Sequence, residues 1–303
     1  MIDRHSLRIA LPSGYRVDDV LTFHRRDAQE TAERVREACV EKALVWLGMP
    51  ARLTICFNVD GMMVDAVLQT QSVMRGETEP AFVAMVQRML GLTQSVEAFE
   101  ANHGSHPQIG KLIALQAGLR VPAAATPFEA LTWAITGQQI SVHAALALRR
   151  RLIQAAGVQL PGGLYCYPGA AQLIELSELQ LRGAGFSRSK AHALLALAHA
   201  VDAGVLPLDA WALEMPNIES LGQQLTAVRG IGPWTLNYAL LRGFGWLDGS
   251  LHGDVAVRRS LQGLLGRPDA IGEGEARDWL KQFSPWRALV AAHLWARLST
   301  AAM

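Results

Sequence analysis

One short turn constrains this 303-residue chain more than any other feature. It reads Val228-Arg229-Gly230-Ile231-Gly232-Pro233-Trp234-Thr235, and a lone carboxylate, Asp254, follows twenty residues after Trp234. Glycine accepts positive φ and lets another backbone come close. Pro233 suits the first turn of a new helix, where its missing N–H costs nothing. The segment therefore reads as a hairpin between two helices, with free N–H groups at a helix N-terminus where an anion can bind. A dinucleotide-binding turn would need a preceding strand and a third glycine. Leu221 to Val228 has helical spacing instead, and Thr235 stands where that glycine would be. On the Gly-x-Gly alone, an ordinary turn between packed helices is an equal alternative.

Bulk properties set the frame. Half of the residues are apolar and 18% are charged, enough for a sizeable core and two or three domains. No uninterrupted apolar run reaches membrane-spanning length, and the start, Met1-Ile2-Asp3-Arg4-His5, lacks the apolar segment of a signal peptide, so a cytoplasmic location is expected. Cys39, Cys56 and Cys166 are scattered and odd in number, which predicts three reduced thiols and excludes a four-cysteine cluster. His192 and His199 lie seven apart on a helix without a third ligand, so no metal site is expected. Residues 1–110 hold 11 basic and 14 acidic side chains, and residues 111–303 hold 17 and 13. The mild positive bias on the hairpin half fits modest, salt-sensitive phosphate contact but does not by itself indicate DNA.

The patterning predicts an α+β chain: a small mixed α/β domain over residues 1–110 and an all-α core over 111–303, with room for two helical subdomains. Leu7 to Leu11 and Arg52 to Asn58 alternate like strands, and Met62 to Thr70 is β-compatible. Glu79 to Leu92 has helical spacing. Every strong segment after about residue 111 is helical. Pro127 to Ile140 is followed by Ser141 to Ala156, with Ser141 as N-cap, then by a Gly-, Pro- and Tyr-rich loop over 157–169 and an Ala/Leu-rich helix from Ser187 to Ala203. The triple arginine Arg149-Arg150-Arg151 reads as a solvated helix end, and Trp133, Trp211 and Trp286 read as structural.

The hairpin with Trp234-Thr235-Leu236-Asn237-Tyr238 and the spacing to Asp254 resembles the helix-hairpin-helix DNA glycosylases of the AlkA type, the 3-methyladenine DNA glycosylases II. Thr126 to Leu131 with Gly137-Gln138-Gln139-Ile140-Ser141 is similar to that family's opening helices. Leu181 to Lys190 is similar to its central segment, Ser284 to Arg287 with His293-Leu294-Trp295 to its closing helix, and Tyr15 to Phe23 to the start of its amino-terminal domain.

The resemblance implies a reaction and residues to carry it. An acid at a helix start is commonly only a cap, but here Asp254 takes the catalytic place. Glycosidic cleavage passes through an oxocarbenium-like state, which a preorganised carboxylate beside the sugar stabilises. One acid suffices when the leaving alkylated purine is already cationic. Strand-cleaving relatives use a lysine where Trp234 stands, so a monofunctional enzyme that leaves an abasic site is implied. Trp234, Tyr238 and Trp295 match the base pocket, where electron-rich rings suit a flipped cationic purine. Gln139 matches the side chain inserted into the vacated stack. Gly230, Ile231, Gly232, Pro233 and Thr235 form the DNA-gripping hairpin, with positive φ expected at Gly232. Its carbonyls are a place for Na+ or K+, and no other cofactor is implied. The implied partner is double-stranded DNA containing alkylated bases, bound by a monomer in base excision repair. Two departures stand out: Ala296 replaces an aromatic residue after Trp295, and Gly253 replaces a second acid, so a wider pocket is expected. The alternatives are a glycosylase for deaminated, oxidised or etheno bases, and a damaged-DNA-binding protein without turnover.

Overall fold

The computed structural model describes residues 3–70 and 78–300. The N-terminal part is one antiparallel sheet, β1 (Asp3–Ala10), β2 (Glu33–Arg36), β3 (Cys39–Trp46), β4 (Met49–Phe57) and β5 (Met63–Thr70), in the order β1-β5-β4-β3-β2. β4 and β5 alternate buried and half-buried residues, as half-covered strands should. Helices α1 (Val17–His24) and α2 (Thr78–Met89) cover the sheet through Leu21, Phe82, Met85 and Met89.

β2 and β3 were not legible as strands. The C-terminal half of β3 is buried on both faces, because residues 164–167 lie against it: the Val45 N–H donates to the Tyr167 carbonyl, and the Tyr167 N–H to that of Ala43. The β3–β4 turn, Leu47-Gly48, has φ of 46° and 79°, positive at both central residues as a tight hairpin requires, with leucine where Asn or Asp is usual. Across this hairpin Cys39 and Cys56 are direct partners, with Cα atoms 4.1 Å apart, and are disulfide-bonded; only Cys166 is free. Three reduced thiols were expected, and register, invisible in a 17-residue spacing, overturns this.

The helical part comprises α3 (Val96–His103), α4 (Gly110–Leu115), α5 (Pro127–Gly137), α6 (Val142–Ala156), α7 (Ala170–Ile174), α8 (Glu178–Gly183), α9 (Arg188–Asp202), α10 (Leu208–Leu213), α11 (Ile218–Thr226), α12 (Pro233–Phe244), α13 (Val255–Leu264), α14 (Glu273–Lys281) and α15 (Arg287–Thr300). Their starts follow local chemistry: Thr126, Ser141, Ser187 and Asn217 each accept a backbone N–H of the helix they open. Two apolar cores result. One joins α5, α6 and α9 to α11 and α12 around Leu131, Leu194 and Leu225; the other joins α3 and α4, on either side of residue 110, to α13–α15 around Phe99, Leu261 and Leu289. α5 and α12 run close together because Gly243 carries no side chain: a Cβ there would stand 3.0 Å from Ala130 Cβ.

Arg149 is not at a solvated helix end. It is buried and pairs with Glu33 and Glu129 at 3.1 and 3.2 Å, while Arg150 pairs with Asp27 at 3.0 Å. A basic run looks uniform in sequence, but successive helix positions point about 100° apart, so Arg149 faces the sheet domain.

Candidate active site

The end of α11 and the start of α12 meet in the expected hairpin. Gly230 has φ +101°, and a Cβ there would stand 2.6 Å from Ala193 Cβ on α9, so this is the position that only glycine fills. Gly232 was expected to need positive φ. It is extended instead, with φ −94° and ψ 179°, and a Cβ on it would meet nothing within 4 Å. Having no side chain, Gly232 cannot cap α12, and Pro233 occupies its first turn. The N–H groups at this helix start are therefore left to an external acceptor. Gln138 fixes the hairpin from the α5 side: its amide donates to the Gly230 carbonyl and to the Thr235 hydroxyl, both at 2.8 Å. Next to it Gln139 is exposed and left-handed, φ 57°.

A Gly230→Ala variant should lose about 1–3 kcal/mol from left-handed strain alone, and more from the contact with Ala193. Gly232→Ala should melt with the parent, within about 0.5 kcal/mol. Thermal denaturation of the two variants checks this, and equal losses would mean that the hairpin geometry is wrong.

Asp254 is both a cap and a member of the cleft. Its Oδ1 accepts the N–H groups of Ala256 and Val257 at 2.9 and 3.0 Å, which opens α13. The Trp234 indole donates to Oδ2 at 2.9 Å, and the Trp295 indole to Oδ1 at 3.2 Å. Four N–H donors thus hold one carboxylate in a fixed orientation. Trp234 and Tyr238, one turn apart on α12, stack with centroids 5.3 Å apart, and Trp295 lies 6.2 Å from Tyr238. These residues, the whole hairpin and Gln139 line one open cleft of about 1440 Å³. The structure therefore brings together every site residue singled out in the sequence.

It also adds three. Trp133, read above as structural, lines the cleft and donates its indole N–H to the Tyr238 hydroxyl at 2.8 Å. Arg26, from the turn after α1, and Arg242, near the end of α12, line the same cleft. The Arg26 guanidinium sits 3.8 Å over the Phe23 ring, and Arg242 is 4.8 Å from the same ring and 5.8 Å from that of Trp295. Trp133 was findable, being six residues before Gln139 on the same helix pattern. Arg26 was not, since only the docking of the sheet domain brings it there. At Gly253 a Cβ would meet nothing within 4 Å, so the space beside Asp254 is open.

Of the chain's four lysines, Lys42, Lys111, Lys190 and Lys281, none lines the cleft. Lys190 instead donates to the Thr136 carbonyl at 2.7 Å. No helix among the described residues is long and apolar enough to cross a membrane.

Comparison with known proteins places this geometry. Residues 6–126 match the AlkA N-terminal domain. The Escherichia coli protein named DNA-3-methyladenine glycosylase 2 is 30% identical over 190 residues, which is 62% of this chain and 63% of that protein. The fold is shared with the 3-methyladenine DNA glycosylase of Archaeoglobus fulgidus (TM-score 0.79, 20% identity, covering 95% of this chain and 97% of that one) and with the 8-oxoguanine glycosylase/lyase of Clostridium acetobutylicum (TM-score 0.72, 17% identity, covering 100% and 99%). The shared fold does not by itself fix a substrate. Residues 132–285, which span the Gln138 anchor, the hairpin and Asp254, match the family described as HhH-GPD superfamily base excision DNA repair protein, and the chain belongs to that superfamily.

Proposed function

We propose that this protein is a monofunctional DNA glycosylase that flips alkylated bases of the 3-methyladenine and 7-methylguanine type out of duplex DNA and hydrolyses their N-glycosidic bond. The observation that carries this reading is Asp254, a carboxylate held by two indole N–H groups and two backbone N–H groups at the edge of an aromatic cleft. The uncapped start of α12 accepts a backbone phosphate next to the lesion, which positions the duplex without reading sequence. The flipped base enters between Trp234, Tyr238 and Trp295, and Gln139 fills the gap it leaves. Its amide can hydrogen-bond the orphaned partner base, as an apolar wedge cannot.

In the reaction, the bond from sugar C1′ to the base breaks with its electron pair moving to the base. Asp254 stabilises the positive charge left on the sugar and orients the attacking water. A cationic alkylpurine leaves as a neutral base and needs no general acid. With no lysine amine in the cleft, the abasic site is released intact. Carbonyl oxygens of the hairpin would hold a sodium or potassium ion, which would stiffen the phosphate grip. The protein would act as a cytoplasmic monomer.

Incubation with methylated duplex DNA should release free methylpurines and produce alkali-labile sites in equal number, without strand breaks before alkali and without borohydride-trapped covalent adduct. Tight binding to damaged duplex with no base release would move the protein to the class of damage-recognition proteins.

A further inference from the structure

The outer face of the sheet carries a thiol pair that the cleft does not use. One cross-strand row runs over all five strands: Arg36, Cys39, Cys56, Asp65 and Arg8 stand opposite one another in register. Side chains alternate between faces along a strand. The sequence neighbours Val40, Ile55, Phe57, Val64 and Ala66 belong to the core under α1 and α2, so the row points away from those helices. Its outer charges are spent elsewhere than on the thiols: Asp65 pairs with Arg8 at 2.6 Å, and Arg36 with Glu30. Cys39 and Cys56 are both half-exposed, and neither lines the cleft. A small thiol in solution therefore has access to the bond that joins them.

The two cysteines stay together without that bond. They open a ladder of eight register pairs that runs to Trp46 and Met49. Just outside them the Phe57 N–H donates to the Ala38 carbonyl at 3.0 Å, so pairing continues on both sides. Their Cα atoms, 4.1 Å apart, have the narrow spacing of a non-hydrogen-bonded pair. The backbone ladder thus keeps the side chains opposed in the reduced state, and closing the bond again needs no search by the chain. The third thiol differs. Cys166 is buried against Ala43 and Val45, and burial pushes it up to about 11, so it stays protonated and takes no part.

We propose that Cys39 and Cys56 form a reversible redox-modification site that exchanges with small thiol–disulfide couples of the glutathione class. It does not depend on the glycosylase reading. In oxidation, one cysteine thiolate attacks a sulfur of the small disulfide, whose S–S bond breaks and releases one small thiolate. The other cysteine thiolate then attacks the protein sulfur of the mixed disulfide, closes the Cys39–Cys56 bond and releases the second. Two electrons pass from the protein to the small disulfide, and the two cysteine protons end on the released thiols. Disulfides that form in reducing compartments are chiefly of this transient, sensing kind. The bond staples β3 to β4, and β2, at the edge of the sheet, pairs with β3. β2 and β3 carry Glu33 and Lys42, and the Lys42 ammonium binds Glu129 on α5. Oxidation therefore tightens the strands that dock the sheet on the helical part, by restricting the unfolded chain between residues 39 and 56.

The test equilibrates the full chain in buffers of rising reduced-to-oxidised glutathione ratio, quenches with acid and counts thiols by alkylation in denaturant. Free thiols should rise from one to three in a single step while far-UV circular dichroism stays constant. Cys166→Ala should keep the same midpoint. Cys56→Ser, with no second thiol to resolve it, should accumulate a mixed disulfide with glutathione at Cys39. The reduced wild type should melt about 5 °C below the oxidised one. The double variant Cys39→Ser, Cys56→Ser should melt like the reduced form at every glutathione ratio. A bond that resists reduced glutathione until the chain unfolds would be purely structural and would overturn the proposal. Thiols that stay free in excess oxidised glutathione would overturn it from the other side, and equal melting of the two forms would overturn the stapling role.

Discussion

Asp254→Asn should bind damaged duplex DNA like the parent and release bases at least about 10²–10³ times more slowly, the loss seen when one preorganised electrostatic group is removed from a transition state. Asparagine is the right probe because it keeps what the acid does for the fold. Asn and Asp are equivalent N-caps, so the carbonyl oxygen of Asn can still accept the N–H groups of Ala256 and Val257 and that of the Trp295 indole. Its amide nitrogen would face the Trp234 indole N–H, which now donates at 2.9 Å, so one hydrogen bond is lost at about 1 kcal/mol. Asp254→Ala removes the cap as well and should cost about 1–2 kcal/mol of stability. The two variants separate folding from chemistry: both should lose base release, but only alanine should melt clearly early. Normal release by Asp254→Asn would show that the carboxylate is a helix cap and nothing more.

Much of this site could be read from the chain, and what could not has a physical cause. Asp254, Trp234, Tyr238, Trp295 and Gln139 lie on short segments whose order and spacing resemble one family, and each of these segments keeps its local geometry in the fold. Asp254 also shows that a helix cap and a fixed place in the cleft are compatible: the N–H groups that open α13 also orient the carboxylate. Arg26 was hidden because its place depends on the sheet domain docking against α5 and α12. Lys42 hid a strand. In the run Cys39 to Trp46 it reads as a polar interruption, yet it is only 1% exposed and belongs to the buried pattern through its ion pairs. Leu47-Gly48 hid the turn that follows, and with it the register that joins Cys39 to Cys56. Gly232 shows the opposite error, a glycine assigned left-handed φ by motif when its neighbour Gly230 bears it.

Lys42→Met should be strongly destabilising although Lys42 does not line the cleft. The Lys42 ammonium donates to Glu33 on β2 and to Glu129 on α5, both at 2.8 Å, and so ties the sheet to the helical part. Methionine is close in size and fills the space, so the cost is electrostatic: two buried carboxylates would keep Arg149 as their shared cation, with His24 on Glu33 and the Ala125 N–H on Glu129. Breaking a buried pair on one side costs about 3–5 kcal/mol, which for a chain of this size lowers Tm by about 10 °C. The sign with pH follows from Glu33, whose carboxyl is held well below the ordinary range by Lys42 and Arg149 against the opposing pull of burial. A depressed folded-state pKa gives stability above the unfolded value, near 4.5, and that stability is lost as pH falls through the folded one. In Lys42→Met the attraction is weaker and burial is unchanged, so the Glu33 carboxyl moves up and part of that gain disappears at neutral pH. The gap between parent and variant should therefore be full at neutral pH and close only as pH falls through the variant's raised value towards the parent's own, which lies well below 4.5. Urea melts at several pH values check this, and a gap independent of pH would mean that Lys42 acts by packing. Because Arg26 reaches the cleft only through the docked sheet domain, the same variant should also raise KM for damaged duplex more than it lowers kcat.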